Sequence, residues 1–207
     1  MPNYVRNNVY FHGAPNRLAM LKQYMTTEEN QFDFNKLIHM PEELNVDAGS
    51  SEKLAIACAK SLREGKHCND EYAKDTYAHN KSFEEWAKIG EMYLSNIEKY
   101  GVSTWYDWCC FNWGTKWNAC EASWEGNEYV SFNTAWSVPI QIFEKLKEVF
   151  PDVRFHVDYA DEDLGNNCGT IDWDGDVFTA SIFEDLEFAC NVWNYDYDEI
   201  LAEMEEE

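Results

Sequence analysis

Residues 153–159 alternate strictly: Val153, Phe155, Val157 and Tyr159 are apolar or aromatic, and Arg154, His156 and Asp158 stand between them. A side-chain period of two belongs to a strand with one buried face. Just upstream, Ile142, Phe143, Leu146 and Val149 recur at three- and four-residue spacing, which predicts a helix opened by Ser137 and Pro139 and stopped by Pro151. Tyr129, Val130 and Phe132 predict a strand over 128–135. Residues 128–159 therefore read as strand, helix, strand.

A second such unit is expected at the start of the chain. Residues 3–12 are rich in β-formers and end at Gly13. Pro15 suits the first turn of a helix with Leu18, Leu21 and Met25 on one face. Residues 31–38, with Phe32, Phe34 and Leu37-Ile38, read as its second strand, closed by Pro41. Two strand–helix–strand units with right-handed crossovers build a split βαβ sheet backed by two helices.

The stretch 50–101 has a different pattern. Ser51 begins a helix that runs to Glu64, with Gly65 after it. Ser82 and Glu85 form a capping box for a second helix, striped by Trp86, Ile89, Tyr93, Leu94 and Ile97 and ended by Gly101. It reads as a helical insertion in a single domain spanning 1–207. Trp105, Trp108, Trp113 and Trp117 follow on a short helix and turn. A strand at 119–125 turns at Gly126-Asn127 into the strand at 128–135. Further strands are expected within 168–183, and a short acidic helix carrying Tyr197, Ile200, Leu201 and Met204 ends the chain. The expected fold class is α+β, an antiparallel or mixed split βαβ sheet with the helical insertion and extra C-terminal strands.

Charge narrows the function classes. The chain of 207 residues carries a formal net charge of −23, and the excess is uneven. Residues 1–100 hold 12 Lys and Arg against 15 Asp and Glu; residues 101–207 hold 4 against 24. Beyond Arg154 there are 17 acidic residues and no Lys or Arg. Nucleic acid is held by counterion release to basic side chains, so direct binding to it is not expected. No apolar run approaches the length of a membrane span, and the N-terminus lacks a secretion-signal pattern. Seven cysteines, two of them adjacent, read as reduced thiols in a cytoplasm.

Asn112-Trp113-Gly114-Thr115-Lys116-Trp117-Asn118, then Phe132-Asn133-Thr134-Ala135-Trp136-Ser137 and Pro139, resemble the YubB-type ferredoxin-like proteins of phages, prophages and conjugative plasmids. The acidic segment Tyr159-Ala160-Asp161-Glu162-Asp163-Leu164-Gly165 fits the same pattern. The resemblance implies a ferredoxin-like fold and a mobile-element setting in a bacterial cytoplasm. It supplies no catalytic residues.

Two candidate sites emerge. Trp113, Lys116, Trp117, Asn118 and Trp136 could hold a planar anion such as a nucleotide by stacking and charge, although tryptophans four apart also suit core packing. Asp161, Glu162, Asp163, Asp172, Asp174, Asp176, Glu184 and Asp185 could present DNA-like charge density to a basic protein, with interspersed aromatics as anchors. Metal chemistry is not indicated. Asp172, Asp174 and Asp176 begin like an EF-hand loop, but Val177 and Phe183 occupy its glycine and glutamate positions. His12, His39, His67, His79 and His156 are scattered, with no Cys-x-x-Cys pair. No nucleophile elbow or phosphate-cradling loop is present. The expectation is a non-enzymatic accessory protein, without cofactor, that binds and blocks a basic host protein, with an anti-defence role; nucleotide binding is the alternative.

Overall fold

The computed structural model describes residues 3–74 and 80–206; His79 lies outside them. In chain order the elements are β1 (Tyr4–His12), α1 (Pro15–Met25), α2 (Glu52–Arg63), α3 (Asp70–Lys74), α4 (Phe83–Tyr100), α5 (Trp105–Asn112), β2 (Cys120–Glu125), β3 (Tyr129–Ala135), α6 (Ile140–Val149), β4 (Arg154–Asp161), β5 (Cys168–Trp173), β6 (Phe178–Phe183), α7 (Leu186–Trp193) and α8 (Tyr197–Glu206). The chain forms two compact units, one of residues 1–39 and 109–207 and the other of residues 40–108.

The first unit is built on a six-stranded sheet in the order β2-β3-β1-β4-β5-β6, antiparallel throughout. Its first four strands are those of a ferredoxin-like split βαβ fold: β1-α1-β2 and β3-α6-β4, with β1 and β3 side by side at the centre. Val5, Val9 and Phe11 of β1 are buried on one face with Val130 and Phe132 of β3 and Phe155 and Val157 of β4. Leu18, Leu21 and Met25 of α1 and Ile142, Phe143 and Leu146 of α6 complete that core. The rings of Phe132, Phe143 and Phe155 meet in sequence at 6.4 and 5.7 Å. Burying each such side chain contributes roughly 1.5–3 kcal/mol. Val149, expected on the same stripe, lies at the exposed end of α6.

The strand expected at 31–38 does not form. Phe32 and Phe34 are buried as the pattern required, but they reach the core from a loop and a single 3-10 turn, Phe34–Lys36. Asp33 caps that turn by accepting from the Asn35 amide, and the Asn118 side chain accepts from the Phe34 amide. With the backbone satisfied this way, no sheet partner is needed. The second strand of the first βαβ unit is β2.

On the opposite face of the sheet, α7, which the sequence pattern did not suggest, packs Ala189 and Val192 against Ala160 and Cys168. Asp185 caps it by accepting from the Phe188 amide. Asn8 donates to the Val192 carbonyl at 2.9 Å, and the Trp193 indole N–H reaches the carbonyls of Ala160 and Asp161.

The second unit centres on α2 packed against α4, with Leu54, Ala55, Cys58, Phe83, Trp86, Ala87 and Tyr93 in one cluster. The Ser82–Glu85 capping box forms, and Gly101 ends α4 with a left-handed φ of 78°. The buried stripe departs from the expected one at its C-terminal end. Ile97 is exposed, whereas Asn96 is buried and donates to the carbonyls of Glu43 and Ser103, at 2.9 Å each. Two backbone acceptors that need a donor outrank one apolar side chain here.

Candidate functional site

The acidic residues singled out from sequence divide into two groups by what they touch. Asp161, at the end of β4, is buried, and its carboxylate accepts from the Asn3 and Asn167 side chains and the Asp163 amide. Asp174 accepts from the amides of Asp176 and Val177 and so closes the β5–β6 turn; these backbone hydrogen bonds hold its carboxyl below the usual range. Asp185 caps α7. These three are occupied in holding the fold. Glu162, Asp163, Asp176 and Glu184 are exposed.

Asp172 belongs to a cluster that the sequence did not reveal. Antiparallel pairing of β4 with β5 sets His156 opposite Asp172. The imidazole Nδ1 lies 2.6 Å from Asp172 Oδ1, and Nε2 lies 2.8 Å from Asp158 Oδ1. The Tyr10 ring stands 6.2 Å away on the neighbouring strand. Burial opposes the charged imidazolium, but its hydrogen bond to Asp172 and the charge and hydrogen bond acceptance of Asp158 outweigh it, so the His156 pKa is raised. Both ring nitrogens are engaged, and the cationic form donates to both carboxylates. The alternation of His156 and Asp158 was visible as a shared face; their meeting with Asp172 depends on a strand register that sequence does not print.

The acidic C-terminal half also carries apolar surface. Val177, Ile182, Tyr195 and Met204 are exposed. Between the end of β4 and α8, a cleft is lined by Leu164, Ile200 and Met204 together with Glu162, Asp163 and Glu203. Such walls suit the stem of a Lys or Arg side chain, with carboxylates for its head.

The tryptophan cluster is placed differently. Trp113 is buried, its indole N–H donates to the Ile38 carbonyl at 2.8 Å, and its ring meets Phe34 edge-on at 5.8 Å. Asn118 accepts from the amides of Phe34 and Ala119 and donates to Asp33. Both are packing residues. Lys116, Trp117 and Trp136 do come together: the ammonium lies 4.5 Å from the Trp117 ring centroid and 4.9 Å from that of Trp136. Trp136 adopts a left-handed φ of 71°, with its carbonyl accepting from Asn167. The ammonium thus already faces two indoles.

Among the described residues no group of three or more His, Cys, Asp or Glu is placed to hold a metal ion, and no helix is long and apolar enough to cross a membrane. Among the described residues the seven cysteines form no disulfide, and burial, with the neighbouring Cys110, pushes the Cys109 thiol up to about 12.

Residues 112–205 match the family described as the ferredoxin-like domain in Api92-like protein. The match supports the ferredoxin-like assignment; the YubB-type name and the mobile-element setting go beyond it. A crystal structure of protein Api92 from Yersinia pseudotuberculosis is similar at 12% identity, covering 89% of this chain and 99% of that one, with a TM-score of 0.47. No curated protein matches.

Proposed function

We propose that this chain is a non-enzymatic accessory protein that binds, and thereby blocks, a basic protein through the acidic surface of its C-terminal half. The observation that carries this reading is the composition of folded surface beyond Arg154. Residues 155–206 contain no Lys or Arg, yet they form β5, β6, α7 and α8, with Glu162, Asp163, Asp176, Glu184 and Glu203 exposed among Val177, Ile182, Tyr195 and Met204. Carboxylates on α8 and on the short connections between these elements steer a cationic partner, and apolar side chains among them give the contact energy that charge alone does not. Partner classes with a groove made for a nucleic-acid backbone fit this surface, which extends the reading to a DNA mimic acting against a host defence or nucleic-acid-processing protein.

The test is a variant carrying Glu162→Gln, Asp163→Asn, Asp176→Asn and Glu184→Gln. All four side chains are exposed, so the fold is expected to persist. Affinity capture from a bacterial lysate is expected to recover a stoichiometric basic protein with the parent chain and not with the variant. Equal recovery at the same salt midpoint would overturn the proposal.

A further inference from the structure

The two edges of the six-stranded sheet are treated differently. At one edge, β2 pairs with β3 through a register shift between Cys120 and Ser123, with Glu121 at a left-handed φ of 52°. A bulge and charged residues on the outer strand are the usual defence of a sheet edge. At the other edge, β6 pairs with β5 without interruption from Phe178↔Trp173 to Phe183↔Cys168. Its sequence, Phe178-Thr179-Ala180-Ser181-Ile182-Phe183, holds no Pro, no Gly and no charge, and residues 179–182 are all exposed, Ile182 by 73%. Gly169 lets this strand sit close. A Cβ there would meet the Ser181 carbonyl at 2.0 Å, and that carbonyl also accepts from the Tyr159 hydroxyl. The edge is therefore regular, anchored from beneath and undefended.

We propose that the outer edge of β6 takes up an extended segment of a partner, added as a seventh strand, with a neutral β-forming centre and Lys or Arg at both ends. Charge decides the occupant. Asp174 and Asp176 precede the strand, and Glu184, Asp185 and Glu187 follow it, so each end of an added strand meets carboxylates whichever way it runs. A second copy is disfavoured by the same residues. Antiparallel pairing of two β6 strands centred on Ala180 sets Asp176 of each copy opposite Glu184 of the other, in a chain of net charge −23. Main-chain hydrogen bonds along the edge supply affinity, Ala180 and Ile182 offer an apolar strip on one face, and the flanking acids select the sequence. The proposal rests on the acidic-surface reading and adds the mode of attachment.

The probe is a synthetic peptide with an alternating Val/Thr centre and two lysines at each end, compared with the same peptide N-methylated along its backbone. Methylation removes the strand's donors and leaves charge and side chains in place. The unmodified peptide is expected to bind about tenfold or more tightly than the methylated one, and to slow amide exchange in β6 while leaving β2 unchanged. Equal affinity would overturn strand addition and leave the acidic-surface reading standing, since charge alone would then account for binding. Binding of neither peptide would overturn it as well, and the four-site charge variant would decide the broader reading separately. Self-association of the free protein, with protection of β6 amides, would overturn the choice of occupant.

Discussion

The side-chain amide of Asn118 donates to the Asp33 carboxylate at 2.7 Å, while its oxygen accepts from the backbone amides of Phe34 and Ala119. One side chain thus ties the segment before β2 to the 3-10 turn that replaces the expected strand. Asn118→Ala would leave partly buried backbone donors without an acceptor, and a loss of about 1–3 kcal/mol in urea denaturation is expected. Asn118→Asp would keep the acceptor but place a second carboxylate against Asp33, so its stability is expected to recover as the pH is lowered. Unchanged stability in both variants would remove the structural role given to Asn118.

Gly90 of α4 packs directly against Ala55 of α2. A Cβ added there would lie 1.9 Å from the Ala55 carbonyl oxygen, a backbone atom that cannot rotate aside. Alanine in a helix interior is otherwise favoured over glycine by about 1 kcal/mol, so the two effects oppose one another. The steric term is the larger, because relieving it requires the helices to separate along a buried strip that includes Cys58 and Ala87. Gly90→Ala is expected to lower stability by about 1–3 kcal/mol, the range for overpacked cores. Amide exchange in α2 and α4, which reports that unit alone, is the measurement, and faster exchange is the expected result.

Where one pattern carried both identity and place, the sequence was readable. Val153 to Tyr159 alternate because one face of β4 is buried, and Leu18, Leu21 and Met25 recur because α1 has a single buried stripe. Phe32 and Phe34 alternate too, and both are buried, yet the Phe32 amide donates to the Asn30 side chain and the Phe34 amide to that of Asn118, far along the chain. A pattern of apolar residues reports burial and says nothing about where the backbone hydrogen bonds go. The candidate sites were legible to a lesser degree. The dearth of basic residues beyond Arg154 is a property of sequence and survives as folded surface. Which carboxylates remain exposed is a property of turns and caps, as Asp161 and Asp174 show. The His156 cluster depends on the register between β4 and β5.

Lys116 between Trp117 and Trp136 gives a direct test of the tryptophan cluster. Removing the ammonium with Lys116→Met keeps much of the side chain's bulk and abolishes both cation–π contacts. A loss of about 0.5–1 kcal/mol per contact is the scale at exposed sites. The variant is expected to be less stable by that order, with a change in tryptophan emission, and nucleotides are expected to leave the emission of the parent chain unaltered. Saturable quenching by one nucleotide class, lost in Lys116→Met, would make the cluster a binding site.

His156 makes stability depend on pH in a definite direction. Its pKa is raised in the folded protein, against burial, by Asp172 and Asp158, while an unfolded histidine titrates near about 6.5. A group whose folded pKa is raised binds its proton more tightly in the native state, so its contribution is fully present below the unfolded value. That contribution is lost as the pH climbs through the folded value. His156→Gln should therefore be less stable than the parent chain in mildly acidic solution, and the gap should narrow on the alkaline side. The sign is opposite to that of the carboxylates, such as Asp152 beside Arg17, whose lowered pKa contributes stability that disappears as the pH falls. Nuclear magnetic resonance titration of the His156 ring protons checks the premise. A midpoint at or below the ordinary histidine value would show that burial, and not the two carboxylates, governs this imidazole.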